Sequence, residues 1–352
     1  EGPWWDLLEE LGITLVVSRE YENFLIALHP RTRITYMPLP HPSGVVAAPD
    51  GASLHVASTR NPNQLFELCA PTGNLDRLDN PAPSPSSWLP LLPRRTLTLP
   101  GCLYLHDLAY IGTDLHASAV GINSVIHLDQ TGQWKPVWWP ASVDLADQPD
   151  TRRNYLQCNG IAAGPTLVDS FFSASAAKPG DRFPGDPDYP VDTRGVIFAG
   201  RTRQPVAQGL TRPHSPRLHE GRLYVLNSGY GEICAVVDNR PQAITRLDGW
   251  TRGLLFSSGY AFVGLSRVLP RFRQYAPGLD LDRSRCALAA IDLKQQRLVA
   301  SYTWPAGNQI FAVECLDASR CDGLPCRPHP EQHNDLMNLC YTLLWEGRND
   351  GL

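Results

Sequence analysis

The sequence predicts an all-β fold, a β-propeller of six repeated units, and three observations predict it. The chain is turn-rich, with 32 Pro and 28 Gly in 352 residues, and long amphipathic helix patterns are scarce. It overlays on itself: a shift of 38 residues brings Gly221, Tyr224, Val225 and Ser228 onto Gly259, Phe262, Val263 and Ser266. A shift of 108 in the other direction brings Leu223 and Gly229 onto Leu115 and Gly121. Finally, the two ends are each incomplete, and together they make one unit. Units of about 40–50 residues with roughly four strands are propeller blades.

Length and charge agree. A single compact core rarely grows beyond about 250–300 residues, so 352 residues mean two domains or a repeat. The net charge of −4 offers no basic field for nucleic acid. No apolar run reaches the roughly 18–20 residues of a membrane span, and no secretory leader is read before Trp4, so no membrane partner is expected. The nine cysteines are odd in number and mostly sit in apolar, strand-like runs. Free buried thiols in a reducing cytoplasm are therefore expected rather than a disulfide framework.

Taken in order, residues 1–12 have the apolar spacing of a short helix. Ile13–Val17, Phe24–Leu28 and Ile34–Met37 read as strands with no inner partner before them. A first full unit starts at His41, turns at Pro49-Asp50-Gly51 and continues through Leu54–Ser58 and Leu65–Cys69. Asn80–Pro93, rich in Pro and Ser, reads as a surface loop. The second unit opens at His106-Asp107 and the third at Asn159-Gly160-Ile161-Ala162, with an acidic, proline-rich loop at Asp181–Asp192. The fourth spans Thr211 to Asp238, and the fifth starts at Thr251-Arg252-Gly253-Leu254. Ile310–Leu316 is a lone strand that should join the three N-terminal strands and close the ring, leaving no free sheet edge there. Residues 1–316 thus form one propeller domain, and 317–352 a Cys/His-containing, irregular or helical appendage with Leu336–Trp345 as a short helix.

In this register His41, His106, Asn159, His214, Arg252 and Gln309 are one position repeated six times, at spacings of 65, 53, 55, 38 and 57 residues. Residues that open inner strands line the central channel. His41, His106 and His214 are ligand types for a divalent transition metal, with Asp107 orienting His106. Alternatively His106 and His214 act as acid/base groups without a metal, or simply bond the backbone. Asn159, Arg217, Arg252 and Gln309 would hold the substrate, since arginine forks suit carboxylate or phosphate. Cys321, Cys326, His329, His333 and Cys340 offer structural-zinc ligand types without C-x2-C spacing; the alternative is free thiols on the surface. Ser215 beside His214 lacks the G-x-S-x-G elbow of a serine hydrolase.

The segments Arg212-Pro213-His214-Ser215-Pro216-Arg217, Thr251–Leu254, Phe262–Ser266, His106-Asp107 and Asn159–Ala162 resemble those of an uncharacterised bacterial family of conserved hypothetical proteins. The resemblance covers roughly residues 10 to 316 and implies a propeller-like fold but no activity. The chain departs from the family pattern at Asn308-Gln309, in place of an acidic pair, at His41, in place of a basic residue, and at Gln157-Cys158, where a His tends to precede Asn159. Two functions stay open. One is a metal-assisted enzyme acting on a small anionic molecule at the channel mouth. The other is a non-catalytic scaffold that uses the same face for a small ligand or a partner protein.

Overall fold

The computed structural model describes residues 3–60, 62–74, 77–79, 90–184, 186–328 and 343–344. Six four-stranded antiparallel sheets stand around a central axis. Blade one consists of Pro42–Ala47, Ser53–Ser58, Asn63–Cys69 and Leu92–Leu99, from inside to outside. The inner strands of blades two to five are Leu105–Ile111, Cys158–Ala162, Pro213–His219 and Trp250–Ser257. In blade six the inner strand is Ala312–Asp317, and Ile13–Arg19, Phe24–His29 and Arg33–Pro38 complete it. The closing register runs from Ile13 opposite Asp317 to Ser18 opposite Ala312, as the unmatched ends of the sequence required.

Among the described residues the apolar core divides into six clusters that follow the joins between neighbouring blades. The strands alternate, and the side chains of one sheet face fill the gap to the next sheet. Serine hydroxyls add a second kind of join. Ser43, Ser118, Ser228 and Ser266 donate to the carbonyls of Leu105, Cys158, Thr251 and Ile310, each of which opens the following blade. The N-terminal helix, Trp4–Leu11, ends on Gly12 in the left-handed region (φ 63°) and buries Trp4, Leu7 and Leu8. Trp4 meets Phe262 and Tyr302 of blade five at 6.1 and 6.2 Å between ring centroids and shares a core cluster with Ile13 and Leu15 of blade six, so the helix covers the join next to the blade in which the ring closes.

Five of the inner strands carry a register shift close to their start: Pro42/Val45, Leu105/Leu108, Cys158/Gly160, His214/Arg217 and Arg252/Leu254. Such bulges break the alternation of side chains and re-aim them. Gly253 is the clearest case. It has φ 72°, and a Cβ there would stand 2.7 Å from the Val313 backbone nitrogen, so glycine lets blade five approach blade six beside Arg252.

Some expectations need correction. Leu92 and Pro93 belong to the outer strand of blade one, not to a loop; Pro93 is tolerated because the strand is at the sheet edge. Residues 80–89 of that loop, with His329, His333, Cys340 and most of the expected 336–345 helix, lie outside the described residues. Leu343–Leu344 is extended and pairs with Gly73–Asn74. Residues 181–184 and 186–190 lie outside the sheets, as expected, though Tyr189 and Val191 are buried and anchor that loop. Cys321 and Leu324 pack into the core beside blades six and one, and Cys326 exchanges both backbone hydrogen bonds with Tyr36.

Candidate functional site

The inner strands open at one end of the channel, and there His106, His214 and Arg252 meet. An Arg252 terminal nitrogen donates to His106 Nε2 at 2.9 Å and to His214 Nε2 at 3.2 Å. The other ring nitrogens settle the tautomers. His106 Nδ1 donates to the Asn159 carbonyl at 2.9 Å. His214 Nδ1 donates to Ser228 Oγ at 2.9 Å, whose own proton goes to the Thr251 carbonyl at 2.6 Å. Both Nε2 atoms are therefore free to accept. Burial first, and the Arg252 charge second, push both imidazoles well below the usual histidine value, so both are neutral at pH 7. The two rings are nearly parallel, 5.7 Å apart, and Phe311 closes the group, 4.6 Å from the His106 ring and 4.2 Å from the Arg252 guanidinium.

His41 is not part of this group. It precedes its inner strand with φ 44°, as Tyr104 (49°), Gln157 (52°) and Arg212 (53°) precede theirs. Counting two residues on from each gives Ser43, His106, Asn159 and His214. Ser43, not His41, is thus blade one's counterpart of the two histidines. Gln309 likewise stands at the mouth, two residues before Phe311. Among the described residues no three His, Cys, Asp or Glu side chains are grouped to hold a metal ion. The two Nε2 atoms that a metal would need already face a guanidinium. Cys321 is a buried thiol pushed up to about 12 by burial, with its sulfur accepting from the Gly323 nitrogen. His329, His333 and Cys340, the other candidate ligands of the tail, lie outside the described residues.

Asp107 does not orient His106. Its carboxylate takes the backbone nitrogens of Leu108 and Ile161 and pairs with Arg217 at 3.1 Å. Arg217 therefore belongs to this second layer of the channel rather than to the mouth. Burial would lower its pKa, but the Asp107 charge and hydrogen bond outweigh that and raise it. Glu314 stands near the pair, accepting from the Ala47 and Cys315 nitrogens, and burial raises its carboxyl.

At the mouth, above the His–Arg–His group, is a cavity of ≈280 Å³. Arg212 and Arg252 both line it, with Trp250, Phe272, Tyr275 and Phe311 as aromatic walls. The 3-10 turn Pro270–Tyr275 of blade five carries two of these rings. Tyr21, from blade six, stacks on Phe272 at 6.3 Å and 19°. Arg212 lies over Tyr275 at 4.5 Å and donates to Gln157 Oε1. Arg212 and Arg252 are 8% and 9% exposed, and their Nε atoms have no partner. Neither makes an ion pair with a carboxylate among the described residues. Burial lowers Arg252 and takes Arg212 down to about 10, which still leaves both charged at neutral pH.

The chain matches the family described as Domain of unknown function (DUF4915) over residues 2–324. It belongs to that family. No curated protein matches its sequence. In three dimensions it is similar to a chain of a nidogen/laminin complex, at 9% identity and a TM-score of 0.56, covering 88% of this chain and 100% of the other. It is also similar to a protein of unknown function from Bacteroides caccae, at 10% identity and a TM-score of 0.54, covering 86% and 98%. A looser overlap, with a TM-score of 0.47 at 11% identity over 76% and 75%, is with the calcium-binding protein regucalcin from Agrobacterium tumefaciens. The first two likenesses support the fold alone. They carry no activity, because propellers host both enzymes and binding proteins.

The sequence reading singled out His106, Asn159, His214, Arg252 and Gln309, and the structure brings these to one end of the channel. It did not assign a role to Gln157, Glu20 or the aromatic walls. Arg212 was visible as the first residue of the R-P-H-S-P-R segment, and its lack of a carboxylate partner could not be read without the fold.

Proposed function

We propose that this protein binds a small organic anion, a carboxylate or a phosphate, at the mouth of the propeller channel. The observation that carries the reading is that Arg252 and Arg212 are both buried, both lack a carboxylate partner among the described residues, and both line one cavity. A buried charge is costly unless it is paired, so two such cations in one cavity are a site for an anion. The cavity is near the lower end of small-molecule pockets, and its aromatic walls suit a ligand with an apolar body. His106 and His214 act as positioning residues. As neutral acceptors they hold the Arg252 guanidinium in place without neutralising it, which a carboxylate would do.

The test is calorimetric titration and thermal-shift screening of the purified protein against small carboxylates and phosphate esters. A charge-assisted hydrogen bond contributes about 1.5–3 kcal/mol, so Arg252→Met and Arg212→Met should each weaken a hit by roughly 10- to 100-fold. Failure of every carboxylate and phosphate to bind, or unchanged affinity in both variants, overturns the reading.

A further inference from the structure

The wall of the same cavity next to the arginines bears acceptors whose hydrogen-bonding capacity is not filled. Glu20 is 5% exposed and lines the cavity. Its Oε1 accepts from Thr59 Oγ1 at 2.5 Å and faces Arg60 Nε at 3.4 Å. Its Oε2 has one weak contact, from Gln309 Nε2 at 3.5 Å, the outer limit of a hydrogen bond. Gln309 is 7% exposed, and its Oε1 is buried with no partner. The amide orientation is fixed by chemistry: turning it over would set Oε1 against the Glu20 carboxylate. Glu20 Oε2 therefore has acceptor capacity left, and Gln309 Oε1 and the Nε–H groups of Arg212 and Arg252 lie unpartnered just behind the surface of the same cavity. A simple anion satisfies the arginines and leaves Gln309 Oε1 stranded; a dianion would in addition meet the Glu20 charge.

We propose that the ligand is an amino acid or similar amino carboxylate, its carboxylate on Arg252 and Arg212, its ammonium on Glu20 and Gln309, and its apolar body against the aromatic walls. The assignment rests on the anion reading of the cavity and adds the cationic group. The ammonium brings three donors, enough for Glu20 Oε2 and Gln309 Oε1 with one left for a Tyr21 or Phe272 ring face. Both ends of the ligand are then paired, and the buried charges of the wall and the arginines are satisfied by one neutral molecule. Arg60, half-exposed and paired with Glu20 from outside, does not compete for the same oxygen.

The probes are the common amino acids, screened by thermal shift, followed by titration of the best one against its desamino acid and its decarboxylated amine. The amino acid should bind at least about 10-fold more tightly than either, the worth of one charge-assisted hydrogen bond. Glu20→Gln should bring the amino acid down to the level of the desamino acid and leave the desamino acid unchanged or better. Gln309→Leu serves as a second variant should Glu20→Gln fail to fold, and should act in the same direction. Equal affinity for the desamino acid, or tighter binding of a phosphate ester, overturns this assignment and leaves the anion reading in place. Binding of the amine alone, or of no carboxylate and no phosphate, overturns both.

Discussion

The channel holds two arginine layers that differ in one respect. In the second layer Arg217 faces the Asp107 carboxylate at 3.1 Å, with Glu314 close by, and the charge is answered inside the protein. At the mouth Arg252 faces two neutral imidazoles, and Arg212 a glutamine and a tyrosine ring. Arg212 and Arg252 are buried, and Arg217 is half-buried against a buried Asp107. What differs is whether the counter-charge is built in. A paired arginine is answered by the scaffold; one held by neutral acceptors keeps an unanswered charge, which is the ground of the anion proposal.

The sharpest way to break this comparison is to remove the built-in counter-charge. Asp107→Asn leaves the half-buried Arg217 beside Glu314 alone and should cost about 3 kcal/mol of unfolding free energy, at the low end for broken buried pairs because Arg217 keeps some contact with water. Urea unfolding reads it, and a loss well under 1 kcal/mol would mean that the second layer is not structural. The mirror experiment is Arg252→Met. Relief of an unpaired buried charge offsets the loss of a donor for two imidazoles, so stability should stay within about 1 kcal/mol of the parent while anion binding falls. A large loss of stability with affinity retained would reverse the roles assigned to the two layers.

The pH dependence separates the layers next. His106 and His214 have folded values below their unfolded value of about 6.5, so the unfolded chain takes up protons first and stability should fall as pH drops below about 6.5. Glu314 works in the opposite sense: its folded value is raised, so its contribution is present at low pH and is lost as pH rises through that raised value. Melting temperatures from pH 8 to 5 should follow the two histidines, and Glu314→Gln should steepen the acid-side decline. A profile flat across pH 6.5 in the parent would show that the imidazoles are not held neutral. The smallest expected effect is at the joins. Ser118→Ala removes the hydroxyl bond to the Cys158 carbonyl and should cost about 1 kcal/mol, measured by urea unfolding, with no change in anion affinity because Ser118 does not line the mouth cavity.

The blades were legible because their signals are local. Gly221 and Gly259 mark equivalent turns, Val225 and Val263 equivalent buried strand positions, and a 38-residue shift exposes both. The ring closure was legible because Ile13–Val17 lacked a partner that Ile310–Leu316 could supply. The outer strand Leu92–Leu99 was partly missed because Pro93 reads as a loop residue, and only the sheet shows that it lies at an edge.

By itself, then, the sequence determined a six-bladed propeller with His106, Asn159, His214 and Arg252 at one end of its channel. The tertiary structure decided which of those residues meet and in what charge state. The bulges are the physical reason for much of this. His41 falls out of the group because it stands where Tyr104 and Arg212 do, two residues before the position of His106 and His214, and in the bulge between Leu105 and Leu108 the Asp107 side chain, next to His106, turns to Arg217 instead. Burial is the rest. Whether an arginine has a carboxylate within reach depends on chain segments such as Glu20, Arg212 and Gln309, which lie far apart in the sequence and come together only when the ring is closed.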